Sequence, residues 1–518
     1  MKNLPIGIQS FSGLREDNYL YVDKTEYVHR LISTGKVYFL SRPRRFGKSL
    51  LIGTLDALFS GKKDLFEGLF IYDKWDWTKK YPVVRIDWTC ISHSSPETLR
   101  SSLLYTLKEI ARNYQITLEA SNPEDRFREL LVLLHRKTGE RVVVLIDEYD
   151  KPITSHLYDA QLDEIKRAVH DFYQVIKGAD DHLKFVFLTG VSKFSGLSVF
   201  SALNNLDDIS LFPEYAGICG YTQAELESNF DDYIGLAAAK FRKTKQELLQ
   251  SIRYWYDGYS WDGETFVYNP FSTLRFLKEK DFMAYWFGTG TPSFFIDIIK
   301  HSHRPETLFD TQIVDKKLLY DGYDPNAPET IPLMFQTGYL TVKGIKTVGE
   351  KTQYTLEAPN VEVSDATIGY LLKTFSTYPI GEFTKLQEII RQQILSCDGA
   401  GLAASLKALF NVPYQIKGGK EENYHVLFQI CLRALGFKVQ SEVSTEFGRA
   451  DAVLELPEMT AITEIKYSSS KSTETLLAEA KKQIVEKRYA EAYTGRIVLL
   501  CAAFTDEEVE CRFEEYSR

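Results

Sequence analysis

The sequence predicts an α/β fold: a parallel-sheet domain first, a mostly helical middle, and a second, smaller α/β unit at the C-terminal end. Three observations carry that prediction. Through roughly the first 220 residues, short apolar runs alternate with helix-spaced stretches. From about residue 222 to 330 the pattern turns mostly helical. The last hundred residues or so read as a helix, three strands, a helix and a strand. A chain of 518 residues exceeds what one core usually serves, and the expected domains are 1–275, 276–400 and 401–518.

Taken in order, "KVYFLS" (36–41), "YPVVRIDW" (81–88), "RVVVLIDEYD" (141–150) and "KFVFLTGVS" (184–192) are β-rich runs that end in polar residues. Between them "SLLIGTLDALF" and "LRSSLLYTLKEIARNY" have helical spacing. Apolar strands separated by helices imply a parallel sheet covered on both faces, with ligands beyond the carboxyl ends of its strands. The aromatic stretch "YWYDGYSWDGETFVYNPFS" (254–272) interrupts the helical middle and is expected to build core rather than a base-stacking platform. A helix in "IPLMFQTGYLTVKGI", a glycine stop at Gly338, and two strands joined by a turn resemble a winged-helix unit. The small-residue segment "DGAGLAASL" (398–406) is expected to mark a hinge, and "KTKQELL" and "EEVECRFEE" to form solvated helix faces. Near the end come a helix at about 422–436, then "FKVQSEVST", "GRADAVLEL", "TAITEIKYS", a long helix through "LLAEAKKQIVEKRYAEAY", and "GRIVLLCAAF".

Bulk properties narrow the function classes. Hydrophobic content of 44% and charged content of 26% describe an ordinary globular protein. A net charge of −9 and pI near 5.7 exclude a generally basic nucleic-acid coat, so DNA contact would come from a local patch. Six cysteines at positions 90, 219, 397, 431, 501 and 511 form no C-x-x-C pair, which suits thiols in a reducing compartment. "MKNLPIGIQSF" lacks the apolar core of a signal peptide, and no apolar run approaches membrane-spanning length. The expectation is a cytoplasmic protein with no membrane partner; a homo-oligomer is compatible with it.

The chemistry-bearing stretch of the first half is "SRPRRFGKSL" (41–50). Gly47, Lys48 and Ser49 fit the end of a phosphate-binding loop, G-x-x-x-x-G-K-[ST], in which backbone N–H groups surround phosphates, lysine neutralises charge and the hydroxyl ligates Mg²⁺. Arg42 stands where that loop has its first glycine. The first glycine eases a turn, whereas the second lets the backbone approach the phosphates, so its loss matters less. Arg42 precedes Pro43, which biases it toward extended geometry. Arg44 and Arg45 add cations, and Pro43, Phe46 and Leu50 complete the loop. A helix opening at Ser49 would aim its dipole at the anion. The acid element is "VVVLIDEYD": Asp147 would hold Mg²⁺ through water and Glu148 would polarise the attacking water. One strand lies between loop and acid pair, and Thr189 and Ser192 end a third strand where a polar residue can sense the terminal phosphate. The competing reading is a basic turn beside an unrelated strand; the ordered strand contexts favour the nucleotide site.

The second centre is expected in "GRADAVLELPEMTAITEIKYS". Glu464 and Lys466 share one strand face with Ile465 turned away, and an antiparallel neighbour can bring Asp451 beside Glu464. Two carboxylates plus the Ile465 carbonyl make an all-oxygen site suited to Mg²⁺ or Mn²⁺, and Lys466 would orient water or stabilise developing charge. Glu421, Glu422 and Glu442 are candidate further acids. Gln483 and Lys487 lie four apart on one helical face, where they would meet a DNA backbone. The alternative is a solvated strand face. His301 and His303 in "HSHR" lack metal-ligand partners and are expected as surface histidines.

The run "YVDKTEYVHRLISTGKVYFLSRPRRFGKSLLIGTL", with "VLIDEYDKP", "LTGVSKFSGLSVFSALNNLDDISL" and "CGYTQAE", closely resembles the bacterial AAA-ATPase-like family. The tail "YHVLFQICLRALGF…SEVSTEFGRADAVLE…AITEIKYS…QIVEKRYAEAY" resembles the PD-(D/E)xK nuclease-superfamily domain fused to it. Arg42 matches that family's own loop. The resemblance implies a P-loop NTPase domain of the additional-strand, AAA-like kind and a restriction-endonuclease-like domain. It implies ATP on Lys48 and Ser49, Asp147 and Glu148 as acid pair, and an Mg²⁺ centre at Asp451, Glu464 and Lys466 with Gln483 on the helix. The functional expectation is an ATPase coupled to a Mg²⁺-dependent DNA nuclease, in DNA processing or defence against foreign DNA. Two rivals stand beside it: a nucleotide-controlled binding switch with an inactive nuclease-like domain, and an ATP-driven assembly protein that touches no nucleic acid.

Overall fold

The computed structural model describes residues 1–157, 159–194, 205–286, 310–326, 329–375, 380–409, 420–434, 438–445, 448–456 and 458–516. His301 and His303, and the side chains of Glu421, Glu422 and Glu442, lie outside what is described. The chain divides into two compact units, Met1–Gly290 with Ile313–Glu362, and Thr291–Gln312 with Val363–Arg518. Residues of the 276–400 stretch therefore fall in both.

In the first unit a short helix (Phe11–Glu16) and α1 (Thr25–Thr34) precede β1 (Val37–Ser41), and α2 (Lys48–Phe59) follows the loop. Next come β2 (Val83–Asp87), α3 (Pro96–Asn113), α4 (Pro123–Thr138), β3 (Val142–Asp147), α5 (Leu162–Gly178), β4 (Leu183–Gly190) and β5 (Asp207–Asp208). These strands form one all-parallel sheet in the order β2-β3-β4-β1-β5. Every residue of β3 is buried, which is why "VVVLID" reads as a continuous apolar run rather than an alternating one. The strand standing between the loop strand and the acid strand in space is β4. Caps fix the helix starts: Ser95 Oγ accepts from the Thr98 N–H, and Asn122 Oδ1 from that of Asp125, each with proline at the first helical position.

Then follow α6 (Gln223–Phe241), α7 (Lys245–Tyr256) and α8 (Pro270–Glu279). Reciprocal capping boxes, Thr222 with Glu225 and Thr244 with Glu247, open α6 and α7. The three helices share a core of Leu226, Phe230, Leu248, Ile252, Tyr256 and Phe276. The aromatic stretch builds core as expected, with Tyr256, Tyr259, Trp261 and Tyr268 buried. The helix α9 (Thr330–Thr337), its left-handed Gly338 stop (φ 90°), and the hairpin β7 (Thr341–Val348) and β8 (Lys351–Glu357) are all present. A further strand, β6 (Gln312–Asp315), joins the hairpin on the β8 side.

The remaining elements are α10 (Val361–Phe375), α11 (Ile380–Leu395), α12 (Gly399–Leu409), α13 (Lys420–Ala434), β9 (Lys438–Thr445), β10 (Gly448–Glu455), β11 (Thr460–Tyr467), α14 (Thr473–Glu486), β12 (Ile497–Phe504) and β13 (Val509–Glu515). The second unit holds a mixed sheet, β13-β12-β11-β10-β9, in which only the β11–β12 pair is parallel. Helix α14 packs its Leu476, Leu477, Ala480 and Ile484 onto that sheet. Two expectations are corrected here. "EEVECRFEE" is not a solvated helix face: Val509, Cys511 and Phe513 alternate with polar residues, and the segment pairs antiparallel with β12. "DGAGLAASL" forms most of α12 instead of a hinge, because Leu402, Leu406 and Leu409 fall on one buried face. All six cysteines are free, and among the described residues no helix is long and apolar enough to cross a membrane.

Candidate functional site

The loop between β1 and α2 turns on two residues with positive φ, Arg45 at 71° and Gly47 at 95°. A Cβ at Gly47 would project into open space, with nothing within 4 Å, so glycine leaves a cradle that any other residue would begin to fill. Helix α2 opens directly after it at Lys48. Lys48 is buried, and its Nζ donates to the carbonyls of Arg42 (2.9 Å) and Pro43 (3.2 Å) and lies 3.3 Å from Glu148 Oε1. Arg42 points inward, away from that cradle. Its Nη1 donates to the Ser41 and Ser210 carbonyls (2.8 Å each), its Nη2 to that of Tyr215 (3.2 Å), and its guanidinium lies 3.8 Å from the Trp261 ring centre. Burial pushes this guanidinium down to about 10, so it remains charged at neutral pH. Phe46 meets Tyr259 and Trp261 edge-on, tying the same loop to the same aromatic wall.

Asp147, at the end of β3, accepts from the Thr189 hydroxyl at 2.7 Å and from that of Ser49. Burial raises its carboxyl above the ordinary range while those two hydroxyls pull it back. Glu148 follows with φ 54°, a left-handed conformation that turns its side chain toward Lys48. Asp150 is fully buried and accepts from the N–H groups of Val191 and Ser192, locking the end of β3 to the end of β4.

A cavity of about 390 Å³ opens over the loop. Of the expected residues, Arg44, Arg45, Gly47, Lys48, Ser49, Leu50 and Glu148 line it. Pro43, Phe46, Asp147, Thr189 and Ser192 do not: the Pro43 carbonyl faces Lys48, Phe46 is in the aromatic wall, Asp147 and Thr189 hold each other, and the Ser192 N–H serves Asp150. Lys151 and Thr89 line the cavity unforeseen, as do Ile8, Tyr221, Pro270 and Phe271, which give it an apolar portion. Lys151 stands three residues after Glu148 in "DEYDKP", and that spacing was its only signal.

In the second unit the register Ala452↔Thr463 puts Asp451 beside the β11 residues Glu464 and Ile465. Asp451 Oδ2 accepts from the Ile465 N–H at 2.7 Å, and Lys466 Nζ donates to Glu464 Oε1 at 2.9 Å. Glu464 Oε2 is buried and, among the described residues, has no hydrogen-bond partner. Burial, then the Asp451 charge, pushes the Glu464 carboxyl up to about 8, and Lys466 holds it back. Two residues of α13 were missed. His425 Nε2 lies 3.6 Å from Asp451 Oδ2, and Gln429 Nε2 donates to the Asp451 carbonyl at 2.8 Å. Their four-residue spacing on one helical face is the signal that could have found them. Gln483 is half-buried and Lys487 exposed at the end of α14, the Lys487 N–H bonded to the Gln483 carbonyl.

Residues 5–200 match the family described as Predicted AAA-ATPase, and residues 419–514 match the PD-(D/E)XK nuclease superfamily. A protein of Azotobacter chroococcum mcd 1, named "Uncharacterized protein in vnfD 5'region", is 37% identical over 506 residues, covering 96% of this chain and 94% of its own. The chain belongs to the AAA-ATPase-like family. Its second unit carries the nuclease-superfamily domain of that architecture.

The residues of this AAA-ATPase-like chain fit the groups the two families use. At the loop, the open cradle at Gly47 and the Ser49–Asp147 pair suit a magnesium-bound triphosphate. At the tail, the buried Glu464 Oε2 beside Asp451, without a hydrogen-bond partner among the described residues, suits a cation ligand. Among the described residues no three Asp, Glu, His or Cys side chains already converge as a metal cage, so water would supply the remaining ligands.

Proposed function

We propose that this protein binds and hydrolyses ATP at the β1–α2 loop and cleaves DNA at the Asp451–Glu464–Lys466 centre. The observation that carries the reading is the Lys48–Glu148 pair at the wall of the 390 Å³ cavity, 3.3 Å apart. A triphosphate entering the cradle takes Lys48 for its own charge and releases Glu148 to hold the attacking water. Gly47 and the start of α2 present backbone N–H groups to the phosphates, and Ser49 and Asp147 would hold Mg²⁺. The apolar lining supplied by Ile8, Tyr221 and Phe271 suits a base.

At the second centre Asp451 and Glu464 would hold the divalent cation, which when bound neutralises charge on a scissile phosphate. Lys466 keeps Glu464 oriented and can pass its Nζ to a phosphate oxygen or water. Gln483 and Lys487 are offered as backbone contacts, in keeping with an acidic chain that needs local cations. DNA processing or defence against foreign DNA is the context proposed.

A second reading, a nucleotide-controlled switch whose nuclease-like domain only binds, is favoured by one observation. Burial and the Asp451 charge raise the Glu464 carboxyl to about 8, so a cation entering the site competes with a proton there. Phosphate release and cleavage of DNA and RNA forms, with and without Mg²⁺ and at two salt concentrations, separate the two. Cleavage lost in Asp451→Ala and Lys466→Ala supports the enzyme; metal-independent DNA binding without cleavage supports the switch.

A further inference from the structure

Four basic side chains, Arg44, Arg45, Lys48 and Lys151, line the loop cavity against the single carboxylate of Glu148. Two of the four are engaged. Lys48 has Glu148 and two carbonyls, and the Arg45 guanidinium lies 4.8 Å from the Phe271 ring centre. The other two differ: among the described residues neither Arg44 nor Lys151 has a side-chain hydrogen bond or an ion pair. Elsewhere in this unit Lys24 is matched by Glu225 and Lys193 by Asp208. Cations without an ion-pair partner that share a partly shielded cavity repel each other, and that cost is repaid when an anion lies between them. Lys151 is depressed by burial and then by the Arg44 charge, with the Glu148 and Asp150 carboxylates pulling it back, which places the two cations within each other's field.

Their backbones are held. The Trp286 indole N–H donates to the Arg44 carbonyl at 3.2 Å, and the Lys151 N–H donates to that of Glu148 at 2.9 Å. Arg44 thus arrives from the phosphate loop and Lys151 from the turn that carries the proposed water-holding residue. The geometry points to Arg44 and Lys151 as the pair that brackets the terminal phosphate and neutralises its developing charge, so that one chain completes the hydrolytic site without a cation from a second copy. The inference rests on the ATPase reading above and adds the residues that act on the reacting phosphate. Such a cation supplied in cis or in trans typically contributes roughly 10³–10⁵ in turnover.

The test uses the full-length chain and its Arg44→Ala, Lys151→Ala and Lys151→Arg variants, each checked by thermal melting. ATP turnover is measured over a hundredfold range of protein concentration, and affinities for ADP and for ADP with aluminium fluoride by calorimetry. Both alanine variants are expected to lose at least ~100-fold in kcat while ADP affinity stays within about threefold. Their tighter binding of the fluoride complex disappears, Lys151→Arg retains most turnover, and turnover per wild-type chain is independent of concentration. Unchanged kcat in both alanine variants overturns the inference. So does activity restored by mixing Arg44→Ala with Lys48→Ala chains, which would place the cation in trans. A wild-type chain that binds ADP but never turns over ATP overturns the ATPase reading itself, before any variant is compared.

Discussion

At the residue scale, Arg42 decides how an altered phosphate loop stays in shape. Restoring the consensus residue with Arg42→Gly strands three buried carbonyls at about 1–3 kcal/mol each and leaves a cavity worth about 2 kcal/mol. Against that, removing a buried cation pushed down to about 10 returns about 3 kcal/mol. The losses win, and urea denaturation is expected to show a net destabilisation of about 3 kcal/mol, with weaker nucleotide binding. Asp451→Asn should behave oppositely in stability. An amide oxygen can still accept the Ile465 N–H, while the repulsion that raises Glu464 disappears. Cleavage should fall at least ~100-fold with the melting temperature unchanged or higher. A lower melting temperature would contradict the assignment of strain to that carboxylate pair.

At the scale of elements, Gly338 links the hairpin unit to the loop. A Cβ there would sit 2.8 Å from Pro43 Cβ and Cγ, at a φ of 90° that L side chains resist. Gly338→Ala is expected to cost about 2 kcal/mol and to weaken nucleotide binding through Pro43, measured by denaturation and titration with ADP. The start of α10 carries a pH signal. Glu362 is buried, accepts from Ser272 Oγ and the Trp286 N–H, and is pushed up to about 7 by desolvation. The folded state therefore holds a proton the unfolded chain releases near ~4.3. Its stabilisation is intact below about 4, shrinks as pH rises, and by pH 8 has cost about 3 kcal/mol. Glu362→Gln should match wild type at pH 4 and exceed it at pH 8; equal pH slopes would refute the buried-acid account.

Sequence pattern disclosed β3, the Gly47–Ser49 turn and the Asp451–Glu464 pairing because each depends on neighbours in the chain or on strand periodicity. It did not disclose that β4 lies between β1 and β3, since strand order is set by crossover topology rather than composition. The inward Arg42, the lining Lys151 and the α13 residues His425 and Gln429 depend on tertiary approach in the same way. The misread β13 had the right alternation, but the five acids among the nine residues of "EEVECRFEE" suggested a solvated helix.

At the scale of the whole molecule, one polypeptide carries an AAA-ATPase-like domain and a PD-(D/E)XK nuclease-superfamily domain. On the expected reading, an ATPase coupled to a nuclease, we propose that nucleotide state at the first governs cleavage at the second. The most direct measurement is the rate of Mg²⁺-dependent DNA cleavage, with and without ATP, in wild type, Lys48→Ala and Asp451→Asn. Wild type should cleave at a rate that changes with ATP, Lys48→Ala should cleave at a rate indifferent to ATP, and Asp451→Asn should not cleave. Cleavage by Asp451→Asn at the wild-type rate, or an ATP response that survives Lys48→Ala, would contradict it.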